Sequence, residues 1–371
     1  MSSDKNELQK GKFDKVLVVG LGQLGLPVAK YVKERGFDVY GYDISSKALE
    51  RAEKTVGIRK AVNFSNFDVY ILCVSTHQPD DIFSPQIDGL LSIAEKISQE
   101  ATSGTLVSIE STIPKGTSKR IFQILNHRLH LVHAPHRWYA LEEKEHGVNQ
   151  LRVIGGVCDC CLQEGIKFYD GRQVGEINGV SPSPVDFSSE QCSSNNSYTM
   201  SASISKRSLG IPMHPVSEVE LAEITKIVEN AHRYLQIAFA EDLYLYCQSN
   251  NINFPELRDA LNTKWNVHIL EPREGIGGHC LPKDTKMFIQ SSRSIKSKIL
   301  TAAIEVDQDY RRYRQARGSG SSFNGDGPHV HKGIENKQVE PKLKDKDLQH
   351  ELLSSASSSS APSSNCHDDV F

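Results

Sequence analysis

The segment Gly275-Ile-Gly-Gly-His-Cys-Leu-Pro-Lys-Asp284 gathers the residue types most able to do covalent chemistry. Its three glycines within four positions imply a backbone that something approaches closely. Cys280 stands next to His279 and near Lys283, a setting in which a thiol pKa is expected to fall. A thiolate there is a usable nucleophile. The plainer alternative is a small apolar residue packed in a turn, which the neighbouring charges oppose.

A second constellation is Lys226 and Asn230, four residues apart and so on one face of a helix, with Glu223 and Arg233 close to that face. A Lys beside an Asn amide can steady an oxyanion or orient a water, although the same spacing also describes a solvated polar stripe. A third is Gly20-Leu-Gly22-Gln-Leu-Gly25, which follows an apolar run and opens a helical pattern. There Gly20 permits a tight turn, Gly22 lets the backbone approach a pyrophosphate, and Gly25 lets helix and strand pack closely. The helix start offers unpaired N–H groups to phosphates, and Pro27 falls in the first turn, where its missing N–H costs little. Asp43 ends the next strand about 20 residues on, where a carboxylate binds ribose hydroxyls and repels a 2′-phosphate, favouring NAD over NADP.

Other motifs are quieter. Cys158-Asp-Cys-Cys161 contains a C-x-x-C, but a zinc site needs two more ligands and no second pair stands at a suitable spacing. These residues read as core or helix-start thiols, and no metal is expected. The 14 histidines form no ligand pattern, although His133, His136 and His146 cluster in sequence. Asn195-Asn-Ser197 fits a glycosylation sequon but reads as idle without a secretory signal.

The elements that position these groups alternate. Apolar runs at Lys15–Val19, Asp38–Tyr42, Val69–Val74, Thr105–Ile109, Leu129–Val132 and Arg152–Ile154 read as strands, with helical patterns at about 23–35, 89–99 and 117–126. The fold class expected is α/β, a doubly wound parallel sheet of Rossmann type. A last strand is expected at Ile211–Val216. One long helix is expected from Ser217 to Gln248, apolar on more than one side and so sandwiched between layers or subunits. A short helix around Pro255–Asn262, a loop over Glu271–Asp284 and a helix over Ser294–Arg317 follow. The domains expected are a polar leader (1–14), a dinucleotide-binding domain (15–216), a helical domain (217–317) and a disordered tail (318–371). Residues of about 173–208 are rich in Ser, Asn and Pro without any period.

Of the 371 residues 38% are hydrophobic and the net charge is -3, so no electrostatic case exists for nucleic acid or an anionic membrane. No apolar run is long enough for a membrane span and no signal peptide is readable. Eight scattered cysteines suit reduced thiols in a cytoplasmic protein.

Over about 15–317, apart from the 173–208 stretch, the chain resembles the nucleotide-sugar 6-dehydrogenases, such as UDP-glucose and UDP-N-acetylmannosamine dehydrogenases. The resemblance lies in the Gly20–Gly25 loop, Cys73-Val-Ser-Thr76, Glu110-Ser-Thr-Ile-Pro-Lys-Gly116, Ala222-Glu-Ile-Thr-Lys-Ile-Val-Glu-Asn230 and Gly277–Asp284. It implies NAD as cofactor and a four-electron oxidation of a sugar C6 alcohol to a uronate. By matching positions Cys280 is the nucleophile. Lys226, Asn230 and Asp284 hold oxyanion and water, Thr112 lies near the reacting centre, and Thr76 and Thr112 join Gly20, Gly22, Gly25 and Asp43 at the cofactor. The long helix is implied to form a homodimer interface, and a nucleotide sugar is the implied partner molecule.

Three departures from the family pattern stand out. Pro135-His136 replaces a Pro-Glu whose carboxylate helps activate the hydrolytic water, so His136, or one of Glu142, Glu143 and Glu145, must take that part. The implied C-terminal UDP-binding domain would begin near Arg317, where a charged, Ser-rich stretch stands instead. The 173–208 stretch reads either as a mobile loop or as a non-native insertion such as a translated intron. A two-electron β-hydroxyacid-type dehydrogenase and an NAD-binding pseudoenzyme are the rival expectations, since Lys-x-x-x-Asn also serves the former.

Overall fold

The computed structural model describes residues 13–78, 81, 85–138, 147–171, 208–278, 280–291 and 297–318. These belong to one compact unit, Met1–Ser321. Nearly all of the expected leader and of the 173–208 stretch, and the tail beyond 318, lie outside the described residues.

The first half is a β-α alternation. Strands β1 (Lys15–Val19), β2 (Asp38–Tyr42), β3 (Arg59–Lys60), β4 (Val69–Leu72), β5 (Leu106–Ile109), β6 (His130–His133), β7 (Arg152–Gly156) and β8 (Met213–Pro215) form one sheet. Its order is β3-β2-β1-β4-β5-β6-β7-β8. Helices α1 (Gly25–Glu34), α2 (Ser46–Val56), α3 (Asp88–Glu100), α4 (Thr117–Ile124) and α5 (Asp159–Tyr169) connect the strands.

The strands are continuous apolar runs because both sheet faces are covered. In β1, Val16 and Val18 point into a core shared with Val69 and Ile71 of β4, with Val28 and Val32 of α1 and with Ile166 and Phe168 of α5. Leu17 and Val19 point the other way, to Tyr70, Leu72, Leu90 and Ile97. That two-residue alternation is the pleat of a strand buried on both sides.

Three expectations are corrected. The sheet is not wholly parallel: β6 and β7 pair antiparallel, with Val132 opposite Gly156 and His133 opposite Gly155. Parallel pairing needs a crossover, usually a helix, and no helix lies between these strands among the described residues. Helices α2 and α5 stand where no helix was expected. The loop expected over Glu271–Asp284 ends early, because a helix begins at Cys280. Pro282 sits in that helix's first turn, where a missing N–H leaves no bond unmade.

The second half is helical: α6 (Val219–Ser249), α7 (Phe254–Leu261), α8 (Cys280–Ser291) and α9 (Lys298–Gly318). The 31-residue α6 is about 46 Å long. It packs on β6 and β7 near its start and on α8 and α9 along its length. Tyr234 and Ala238 of α6 meet Ile276 and Ala303 in a small core of their own. Another side of α6 leaves Leu221, Val228, Phe239 and Tyr246 exposed in this chain.

Candidate active site

The glycine loop between β1 and α1 is built by close contacts. Gly20 has φ +87°, and a Cβ there would stand 2.6 Å from the Cys73 carbonyl oxygen. A Cβ on Gly25 would come within 1.7 Å of the Gly20 carbonyl oxygen, so no other residue lets α1 start there. Gly22 differs: a Cβ on it would meet nothing within 4 Å. Chain packing therefore does not demand glycine at 22, whereas a pyrophosphate lying against the backbone would. Asp43 at the end of β2 accepts from the Leu21 amide at 2.6 Å and from the Ser45 amide at 2.8 Å. Its carboxylate is thus fixed beside the loop with lone pairs left for ribose hydroxyls.

Beyond the ends of β4 and β5, Thr76 and Thr112 meet. The Thr76 hydroxyl donates to the Thr112 carbonyl at 2.8 Å and accepts from the Lys283 ammonium at 3.0 Å. Lys283 is buried and lies on α8, so it ties that helix to the end of the sheet. Its charge was legible near Cys280, but not this partner more than 200 residues away.

The start of α6 is fastened to the same end of the sheet. Glu223 is buried and accepts from the amides of Gly116 and Ser118, capping the start of α4. Burial pushes the Glu223 carboxyl up, while those N–H donors pull it down. Glu220 pairs with Lys119 at 2.5 Å, and Glu229 pairs with Arg137, which follows β6. These ties fix the rotation of α6 and so the direction of its next polar residues.

Those residues are Lys226 and Asn230, and α8 faces them. Asn230 donates its side-chain amide to Asp284 Oδ2. Asp284 is buried, and its Oδ1 makes no hydrogen bond, with the Lys283 ammonium 3.3 Å away. An acceptor left open in such a place suits a water or a substrate hydroxyl. Burial lowers the Lys226 pKa; Asp284, Glu229 and Cys280 oppose this, and Arg137 adds to it.

Cys280 begins α8 and is exposed. Its thiol pKa is raised, by the enclosure of the sulfur first and by Asp284 second, while Lys283 and Lys226 pull it down. The expected lowering is therefore reversed, because the enclosure of the sulfur, and then Asp284 one helical turn on, outweigh the two lysines. His279 lies outside the described residues.

His136 does not face Cys280 through any described contact. Its Nδ1 accepts from the Trp138 amide at 3.1 Å, and its Nε2 lies 3.0 Å from Arg152 Nη2 and 3.4 Å from Glu110 Oε2. Arg152 and Glu110 are both buried, with Nη1 and Oε2 3.0 Å apart, and Tyr169 donates to Glu110 Oε1 at 2.6 Å. Burial, then Arg152 and Lys226, holds the imidazole pKa well below its usual value, so the ring is neutral. The sequence pattern did not single out Arg152, although a charge opening an apolar strand is a signal. Glu142, Glu143 and Glu145 lie outside the described residues.

No helix of the described residues is long and apolar enough to cross a membrane.

Two family descriptions match the chain: UDP-glucose/GDP-mannose dehydrogenase family, NAD binding domain, over residues 51–171, and the central domain of the same family over residues 220–309. UDP-N-acetyl-D-mannosamine dehydrogenase of Methanococcus maripaludis is 25% identical over 327 residues, 82% of this chain and 67% of the relative. The Campylobacter jejuni enzyme of that name is 27% identical over 332 residues, 80% of this chain and 72% of the relative. The chain thus spans about two thirds of the length of such relatives. A UDP-D-ManNAc dehydrogenase structure from Pyrococcus horikoshii shares the fold with a TM-score of 0.63 at 22% identity, covering 81% of this chain and 70% of that one. The matched NAD binding domain makes NAD the cofactor, and the glycine loop fits it. With the NAD binding domain and the central domain present in order, the chain belongs to the UDP-glucose/GDP-mannose dehydrogenase family.

Proposed function

We propose that the chain oxidises the C6 alcohol of a nucleotide sugar to a uronate, in two NAD-dependent steps joined by a covalent adduct on Cys280. The observation that carries this reading is the Asn230–Asp284 hydrogen bond, with Lys226 and Cys280 beside it. That bond, and the electrostatic influence of Lys226, Cys280 and Asp284 on one another, support an amide, ammonium, carboxylate and thiol acting together.

NAD supplies a hydride acceptor for each of the two oxidations. The chain does the rest. Lys226, whose burial lowers its pKa, takes the alcohol proton as the first hydride leaves and then steadies the carbonyl oxygen. The Cys280 sulfur adds to the aldehyde carbon while its proton passes to the carbonyl oxygen, giving a thiohemiacetal. Loss of the second hydride and the hydroxyl proton leaves a thioester. Asp284 Oδ1, the open acceptor, orients the water that cleaves the thioester, releasing the carboxylate and restoring the thiol. Lys226 and Lys283, which pull the thiol pKa down, favour the thiolate against burial and Asp284.

His136 acts by position. Its neutral ring joins Glu110 and Arg152, and a base with so low a pKa draws little proton from water. Thr76 and Thr112 frame the end of the sheet where the nicotinamide half would lie, and Asp43 takes the ribose. The exposed row Leu221, Val228, Phe239 and Tyr246 on α6 supports a homodimer through that helix. Relatives named for UDP-N-acetylmannosamine favour a 2-acetamido sugar among the nucleotide sugars.

The test is the ratio of NADH formed to UDP-sugar consumed, with uronate identified by mass. Two NADH per sugar are expected. One NADH per sugar, unaffected by loss of Cys280, would make this a two-electron dehydrogenase.

A further inference from the structure

A second thiol-bearing site lies at the other end of the sheet. Cys158 caps the start of α5, and Cys160 and Cys161 occupy its first turn. The Cys158 sulfur stands 3.0 Å from that of Cys160 and 3.1 Å from that of Cys161. His130, the first residue of β6, completes the group: one ring nitrogen and the sulfurs of Cys160 and Cys161 all lie within 4.8 Å of one another.

The antiparallel pairing of β6 and β7 brings them together. Its register sets Val132 opposite Gly156, and the Val157 amide donates to the Leu131 carbonyl at 3.2 Å. One step further along sets His130 opposite Cys158, at the point where β7 turns into α5. Residues about 30 apart in sequence are thus delivered to one spot by backbone geometry alone. The spacing within Cys158–Cys161 offered only two or three ligands, and the missing one comes from the neighbouring strand.

We propose that His130, Cys160 and Cys161, with Cys158 as the fourth donor, bind a zinc ion that staples the start of β6 to the start of α5. One imidazole and three thiolates are the ligands of closed, tetrahedral structural zinc sites. Such a site has Zn–S bonds of about 2.3 Å, which places its sulfurs roughly 3.8 Å apart. The sulfurs here are somewhat closer than that, yet well outside the roughly 2.05 Å of a disulfide. Small rotations about the Cys side chains therefore open the cluster around a cation. Binding exchanges each ligating thiol's proton for the metal, so up to three protons leave as one zinc enters. Three thiolates leave the complex with a net negative charge, which the positive end of α5 favours. Hard ions such as magnesium are excluded by the sulfur ligands.

The role is structural. Thr76, Glu110 and His136 follow the C-terminal ends of β4, β5 and β6, whereas His130 opens β6. The metal would hold the antiparallel corner of the sheet without touching the catalytic groups.

The full chain, kept under reductant, is titrated with cobalt(II) and then zinc(II). One equivalent of cobalt should give the intense visible bands of a tetrahedral thiolate complex, and zinc should bleach them. Zinc should also raise the melting temperature. Cys280→Ser should bind the metal unchanged. The double variant Cys160→Ser/Cys161→Ser should lose the bands and the thermal shift, and His130→Ala, which keeps the three thiolates, should bind at least tenfold more weakly. If the double variant fails to fold, Cys158→Ser keeps three ligands and should bind at least tenfold more weakly. A weak octahedral spectrum, equal binding by the variants, or a Cys158–Cys161 disulfide in the protein as isolated would overturn the proposal.

Discussion

Asn230 on α6 donates its side-chain amide to Asp284 on α8, and this one bond joins the helix that carries Lys226 to the helix that Cys280 begins. It fixes the amide of Asn230, leaves the second oxygen of Asp284 without a hydrogen bond, and sets a negative charge one turn from the sulfur. Asp284 therefore has opposed effects, raising the thiol pKa while holding the proposed water.

Those two effects separate on mutation. Asp284→Asn removes the charge that raises the Cys280 pKa and leaves Lys283 and Lys226, which lower it. The folded-state pKa should fall, so more thiolate is present below the ordinary thiol range. Iodoacetamide should alkylate Cys280 severalfold faster near pH 8, a region below the usual cysteine value of about 8.5. Turnover should nevertheless drop by roughly 10²-fold, the order of effect of losing one oriented polar group at a reacting centre. Slower alkylation would remove Asp284 from the electrostatics of the sulfur.

Glu241 on α6 predicts a pH dependence of stability. Burial, then Asp307, raises its pKa from 4.5 to about 8, with Arg311 opposing. The folded value exceeds the unfolded one. The neutral carboxyl's contribution is thus fully present below about 4.5 and is lost as pH rises through about 8. Glu241→Gln should match the native protein near the acid end of that window and exceed it at the alkaline end. The gain should be about 1–2 kcal/mol, or a few degrees in melting temperature. Equal melting temperatures at both ends would show that Glu241 ionises freely.

His136 is proposed as a positioning residue held by Glu110 and Arg152. His136→Ala should cost about 1–3 kcal/mol of stability by leaving Arg152 and Glu110 short of a polar neighbour. It should still turn over repeatedly. A variant that releases two NADH per site and then stalls, with a substrate-sized mass on Cys280, would make His136 the group that activates water.

The exposed row on α6 should close in a dimer. Phe239, 59% exposed in this chain, lies in that row. Phe239→Asp should shift the sedimentation coefficient from dimer to monomer. A native chain that sediments as a monomer would leave the row for another partner.

Much of this arrangement is legible in the amino-acid sequence. Gly20, Gly25 and Asp43 are readable because a tight turn and a ribose contact admit few residue types, and the strands because both sheet faces are buried. Helix α2 is hidden because its apolar stripe, Ala48, Leu49, Ala52 and Val56, is short and fully buries only Ala52. Helix α8 is masked by the glycine run before it and by Pro282 within it. The reversed thiol pKa could not be read from neighbours in sequence, since it depends first on how the fold encloses the sulfur and then on Asp284. The Glu110–His136–Arg152 group and the His130–Cys161 contact depend on strand order and on one antiparallel pairing, which apolar periodicity does not encode.

The central claim is that Cys280 carries the substrate between two oxidations. The most direct measurement is the NADH formed per nucleotide sugar consumed, in the native chain and in Cys280→Ala, with the product identified by mass. The account predicts two NADH and a uronate from the native chain, and no uronate from Cys280→Ala despite unchanged NAD binding. A uronate from Cys280→Ala, or a single NADH with an aldehyde as the final product of the native chain, would contradict it.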